Sequence, residues 1–234
     1  MAVAHKIRLW NKLRKLPREK PQLYLFPEYR FGYIQIPKVA GRSIRAAVTA
    51  FMSGKGPDEN VDKNLVTEFE TRYARHLNHA EIAALSRDNF IFAFVRNPYE
   101  RIYSCYKNKI EDVRASGGRN IFEKHGIDLD ITFEAFVQKI ATLPDHKSDR
   151  HFRSQAWFLT HEGRLIPAFV GKLENMMNDW QILQEGYGIA PPPQINVSST
   201  KPLPDMSDET RELIFMRYAD DFRLFGYDER VACD

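Results

Sequence analysis

Cysteine is almost missing from this sequence. Only Cys105 and Cys233 occur in 234 residues, too few for a disulfide framework. Cys105 falls in a predicted helix and Cys233 beside the C-terminus, so both read as free thiols and a reducing, cytoplasmic compartment is expected. Long apolar runs are missing as well: no stretch approaches the roughly 18 residues needed to span a bilayer. The opening MAVAHKIRLWNKLRKLPREK lacks the uninterrupted apolar core of a secretory signal. Nor is there a charge excess. With 34 Lys and Arg against 31 Asp and Glu, the net charge is +3, which argues against a nucleic-acid partner and leaves any positive field local. No internal repeat or low-complexity segment stands out.

What is present suits a well-cored globular protein, with 43% hydrophobic and 12% aromatic residues. The length fits a single α/β domain over residues 21–234, preceded by a basic segment over residues 1–20. In that segment Ile7, Trp10, Leu13 and Leu16 recur at helical spacing among Lys6, Arg8, Lys12, Arg14, Lys15 and Arg18. Such a helix, over residues 5–18, either lies on an anionic membrane surface (the inner face of the membrane, in a cytoplasmic protein) or docks on its own domain.

The richest stretch is FGYIQIPKVAGRSIRAA, Phe31–Ala47. It predicts a buried strand over Phe31–Ile36, a tight turn over Pro37–Gly41 and a helix opening near Arg42. Backbone N–H groups at a helix N-terminus face outward and favour negative charge. Ala40 and Gly41 allow close approach to the main chain, Lys38 adds a positive charge and Ser43 a hydroxyl donor. The turn therefore reads as a phosphate- or sulfate-binding loop, against the plainer reading of a βα turn with a solvated lysine. It is not a Walker A loop, because the Gly-Lys-Ser/Thr ending is missing and the lysine precedes the glycine.

A second strand-turn-helix unit follows at NFIFAFVRNPYERIYSCYKNK. Asn89–Val95 is a continuous apolar run fitting a central parallel strand. Asn97 caps the next helix, with Pro98 at its first position. Arg96 then stands at the carboxyl end of a strand, where open α/β sheets place ligands, and Ser104 lies about one and a half turns along the helix. Two such units suit a ligand with two separated anionic groups.

Elsewhere, Val66–Tyr73 is ambiguous, and Asn78 caps a short helix over His79–Leu85. His76 and His79 suggest a metal pair or a base with a neighbour; no carboxylate or cysteine cluster at ligand spacing accompanies them, so no metal is expected. Ala115–Asp130 reads as a mobile loop. Leu143–Ser154, with Arg150, His151 and Arg153, reads as a solvated basic loop or as a site. Thr132 caps a helix to Ala141, Ala168–Val170 is a strand running into Gly171-Lys172, and Ser207 caps a final helix.

Taken together these segments resemble the carbohydrate sulfotransferases that use 3′-phosphoadenosine 5′-phosphosulfate (PAPS), in the branch of the chondroitin, HNK-1 and uronosyl 2-O-sulfotransferases and their bacterial relatives. IPKVAGRS looks like that family's 5′-phosphosulfate loop and FVRNPYERIYSCYKNK like its 3′-phosphate motif. DRHFRSQAWF, FVGKLEN and YADDFRLFGY agree in order and spacing, so the resemblance runs from Tyr33 to Tyr227. It implies a P-loop-NTPase-like fold with a central, mainly parallel sheet flanked by helices. It implies that Pro37, Lys38, Val39, Ala40, Gly41, Arg42 and Ser43 hold the 5′-phosphosulfate, that Arg96 and Ser104 bind the 3′-phosphate, and that Lys172 contributes to the nucleotide pocket. His76 best matches the family's catalytic histidine, with His79 second. Arg42 departs from the small or hydroxyl residue common at its place. The membrane anchor of the Golgi members has no counterpart in these residues, and their localisation is not carried over.

The expected reaction is in-line transfer of a sulfuryl group to a glycan hydroxyl, on a lipid-linked or capsular saccharide. His76 would act as base and Lys38 would stabilise the leaving phosphate, with 3′-phosphoadenosine 5′-phosphate (PAP) as product and no metal. Arg150 and His151 would orient a carboxylated or sulfated acceptor. The competing readings are a P-loop-like ATP-dependent kinase, a non-catalytic nucleotide- or glycan-binding module, and a membrane-surface scaffold built on the N-terminal helix.

Overall fold

The computed structural model describes residues 19–55, 61–192 and 203–228; the basic helix expected over residues 5–18 and Cys233 lie outside them. In chain order the elements are β1 (Gln22–Phe26), β2 (Phe31–Gln35), α1 (Gly41–Met52), α2 (Lys63–Tyr73), β3 (Ala74–His76), α3 (His79–Leu85), β4 (Phe90–Val95), α4 (Pro98–Tyr106), α5 (Asp112–Ser116), α6 (Phe133–Ala141), α7 (Gln155–Leu159), β5 (Thr160–His161), β6 (Arg164–Leu165), β7 (Phe169–Lys172), α8 (Met176–Tyr187), α9 (Asp208–Arg217) and α10 (Ala219–Phe225). They group into a sheet unit, residues 20–96 and 158–192, and a helical unit, residues 97–157 and 203–228.

The sheet unit carries a five-stranded sheet in the order β3-β1-β2-β4-β7. β2 pairs parallel with β4 and β4 with β7, whereas β1 runs antiparallel to both β2 and β3. All strands of this sheet except β1 therefore point the same way, the mainly parallel α/β arrangement expected, and β5 and β6 form a separate antiparallel pair. The central strands are apolar along their length because both faces are covered: Ile91, Phe92, Ala93, Phe94 and Val95 are fully buried. β1 and β3 carried no comparable signal. β3 is only three residues long, and its strand identity comes from the register Gln22↔His76, Leu23↔Arg75 and Tyr24↔Ala74.

α1 turns Ile44, Ala47 and Val48 inward, the i, i+3, i+4 stripe of a core-facing helix. The ambiguous 66–73 stretch is helical, within α2. Asn78 and Glu81 form the capping box of α3: Glu81 N–H donates to Asn78 Oδ1 at 2.9 Å and Asn78 N–H to Glu81 Oε2 at 2.6 Å.

The helical unit closes around its own core, which includes Ile102, Cys105, Phe122, Phe136, Phe152 and Phe222. Cys105, fully buried, behaves as a small apolar residue. Two segments are more firmly held than their composition suggests. The segment read as a mobile loop, Ala115–Asp130, is anchored, because Phe122 and Ile127 are fully buried and Asn120 donates to Ile127 O at 2.8 Å. The solvated-loop reading of Leu143–Ser154 also fails, since Ser148, Asp149, Phe152, Arg153 and Ser154 are buried. Most of their polar groups find partners within the unit, as burial demands, although Arg153 Nη1 makes no hydrogen bond among the described residues. Arg153 Nε donates to Asp145 O at 2.8 Å and Arg217 Nη2 pairs with Asp145 Oδ1 at 2.6 Å.

Candidate functional site

The loop between β2 and α1 has a specific backbone conformation. Lys38 adopts φ 73° and Ala40 φ 45°, left-handed values that L-residues other than glycine rarely take and that cost about 1–3 kcal/mol each. Gly41, where the sequence offered conformational freedom, is not among the positive-φ residues. Left-handed Lys38 and Ala40 flank Val39, whose φ is not positive, an alternation of the kind from which anion-receiving nests are built. Ile36 and Val39, both fully buried, hold the turn against the sheet. Lys38 and Ala40 are half-buried, Ser43 is buried and Arg42 is exposed.

The other basic candidates of the sheet unit lie along the same edge. Arg96, 4% exposed, follows directly after β4, and Lys172 ends β7 in register with Val95. Asp179 on α8 accepts from the Lys172 N–H at 2.6 Å and from Asn175 Nδ2 at 2.7 Å, which fixes the turn beyond β7. On the opposite side of the loop, Gln22 pairs with both Gln35 and His76. His76 is therefore level with the last residue before the loop, two strand spacings or about 10 Å away. Its side chain is exposed, and His79 at the start of α3 is half-buried. The sheet edge thus brings Lys38, Arg96, Lys172 and His76 into one row, at the carboxyl ends where α/β sheets bind ligands.

Ser104, Arg150 and His151 belong to the helical unit. Ser104 is half-buried on α4, whose first turn is capped by the Asn97 side chain accepting from Tyr99 N–H at 3.0 Å. His151 is held by a partner that sequence reasoning passed over: Asp149 Oδ1 lies 2.7 Å from His151 Nδ1 and accepts the His151 backbone N–H at 3.0 Å. Burial pushes the His151 imidazole below its ordinary value although Asp149 opposes this. For Asp149, burial is outweighed by His151 and Lys124, and its carboxyl is held far below the usual range. Neutral His151 therefore donates from Nδ1 to an ionised Asp149 and keeps Nε2 as an acceptor. The Asp-x-His spacing was the available signal.

Among the described residues, no group of three or more His, Cys, Asp or Glu is placed to hold a metal ion, and no helix is long and apolar enough to cross a membrane.

Fold and loop define an α/β protein with a left-handed strand-to-helix loop at a sheet edge. The profile described as "Sulfotransferase family" matches residues 21–228, and the chain belongs to that family. It is similar to carbohydrate sulfotransferase 14 of Danio rerio, with 23% identity over 223 residues covering 86% of this chain and 60% of the relative. The Mus musculus protein of the same name is 26% identical over 163 residues, covering 64% of this chain and 42% of the relative. The chain thus spans 60% or less of the length of these curated relatives. No solved structure matches it.

Proposed function

We propose that the chain moves a sulfuryl group from PAPS to a hydroxyl of a carbohydrate acceptor. The observation that carries this reading is the left-handed Lys38–Ala40 nest on the same sheet edge as Arg96 and His76. Residues 37–43 receive the 5′-phosphosulfate, their N–H groups and Lys38 meeting its negative charge. Arg96 and Ser104 bind the 3′-phosphate, and Lys172 supports the nucleotide. His76 takes the acceptor's hydroxyl proton as the acceptor oxygen bonds to sulfur. The bond from sulfur to the phosphate oxygen breaks in line, and Lys38 with the loop N–H groups stabilises the charge gathering on that oxygen. A hydroxyl is a poor nucleophile at neutral pH, and a positioned base that takes its proton as the bond forms offsets this. Arg150 and His151 orient an acidic acceptor, and the basic segment 5–18 keeps the protein, in the cytoplasm, near a lipid-linked or capsular saccharide.

The test is a thermal melt with PAP against ATP and Mg²⁺. A ligand at 100 times its dissociation constant stabilises the native state by about 2.7 kcal/mol. PAP is expected to raise the midpoint and ATP not, with Lys38→Ala and Arg96→Ala each shrinking the shift. A shift by ATP alone transfers the case to the kinase reading, and a well-folded sample that responds to neither overturns both. Transfer of radiolabelled sulfate from PAPS to a panel of glycans then identifies the acceptor.

A further inference from the structure

Gly41 opens α1, and Arg45 stands one turn further on, over the same face of the helix. Side chains of a helix lean toward its N-terminus, so a residue at i+4 covers the surface at i. With no side chain at Gly41 the guanidinium lies down into that space: a Cβ built on Gly41 would sit 3.3 Å from Arg45 Nη1. Arg45 therefore reaches back to the first turn of the helix, beside the backbone of the anion nest. Its side chain is 17% exposed, and Arg45 Nε is 2.5 Å from Glu70 Oε1 on α2. That contact is an ion pair without an aligned hydrogen bond, for Arg45 Nε is buried and directed at no acceptor among the described residues. Glu70 offsets the charge of the guanidinium from the Nε side, while Nη1 lies over Gly41.

We infer that Arg45 is a further cation for the anionic group received by the loop, held beside it by Glu70, which also weakens its pull. Arg42, which departs from the residue type common at its place in the family, is exposed, whereas Arg45 is packed against the first turn of the loop helix. An arginine offers planar, forked donors to phosphate or sulfate oxygens. Glu70 acts through Arg45 alone, as a charge that competes with the ligand, and sets how tightly the product is retained. This rests on the donor reading above.

The experiment is calorimetric titration of PAP into the full chain and three variants. Arg45→Gln is expected to weaken PAP about 10-fold, the scale of one charge-assisted contact. Glu70→Gln is expected to tighten it by about 3-fold or more through removal of the competing charge. Arg45→Gln with Glu70→Gln should match Arg45→Gln alone, since Glu70 has no effect without the arginine. A pair that only braced α1 against α2 would give weaker binding in Glu70→Gln as well, and that result overturns the inference. Unchanged affinity in Arg45→Gln overturns it too. Should Arg45→Gln melt early without ligand, Arg45→Lys and Glu70→Gln decide the matter, because the lysine keeps the charge and must keep most of the affinity. Wild-type protein that binds no PAP overturns the donor reading itself; wild-type binding with indifferent variants overturns only the role of Arg45.

Discussion

At Lys38 and Ala40 the backbone stores strain that the surrounding residues hold in place. Left-handed φ at a non-glycine residue costs about 1–2 kcal/mol relative to glycine, and a loop kept that way is pre-organised for its ligand. Ala40→Gly is expected to relieve the strain at φ 45°, partly offset by the greater freedom of glycine in the unfolded chain. We expect a net stabilisation of about 0.5–1 kcal/mol without ligand, together with a smaller PAP-induced rise in the melting midpoint. A variant no more stable than wild type would show that the loop is not strained at this position. His76 has the opposite profile, exposed and outside the nest. His76→Gln should leave the PAP response intact and lower sulfuryl transfer by about 10²–10⁴-fold, the usual contribution of a positioned base. Equal loss in His79→Gln alone would move the role to His79.

Among elements, β7 is the most constrained of those that end at the site. Gly171 pairs with Phe94 of β4, and a Cβ there would stand 2.3 Å from Phe94 Cε1. The Phe94 ring cannot simply move aside, because it stacks on Trp180 at 5.5 Å and meets Phe169 edge-on at 6.1 Å. Gly171→Ala should therefore destabilise the fold by about 1–3 kcal/mol, the typical cost of overpacking, readable as a fall in the denaturant midpoint. The elements legible in the sequence were those whose signal is local. FIFAFV announces a strand buried on both faces, and Asn78, Asn97, Thr132 and Ser207 announce helix starts, each confirmed by a side-chain cap. β1 and β3 were not legible, because short edge and antiparallel strands are defined by their partners rather than by their own pattern. The same holds for the π-helical turn Lys107–Glu111 after α4, which no periodicity predicted. At the site, the loop and Arg96 could be read from residue type and position. The level register of His76 with Gln35 could not, since it depends on β1 lying between them.

Folding stability belongs to the whole molecule, and its pH dependence follows from groups whose ionisation changes on folding. Burial lowers the His151 imidazole from its ordinary 6.5. Between the folded value and 6.5 the unfolded chain binds more protons than the folded one. Stability therefore rises with pH through that window and is lost as pH falls through it. Asp149 acts in the same direction at lower pH: its contribution is complete above its ordinary 3.8 and is lost as pH drops toward the depressed folded value. Asp221 acts in the opposite sense. Burial, opposed by Arg101 and by the N–H groups of Gln155 and Ala156, raises it from 3.8 to about 6. The folded state then holds a proton the unfolded chain has released, and stability falls as pH rises through that interval. A wild-type profile mixes these trends, so the informative quantity is a difference. His151→Gln removes the imidazole and leaves Asp221 untouched. On moving from about pH 7.5 to about pH 5.5, wild-type protein should lose more of its melting midpoint than His151→Gln does, since wild type carries in His151 one more group that must accept a proton on unfolding. Lys109 and Arg150 press the imidazole in the same direction as burial, so high salt should narrow the gap between the two proteins without closing it. Parallel profiles would mean that the burial cost of the His151 imidazole is fully offset by its contact with Asp149.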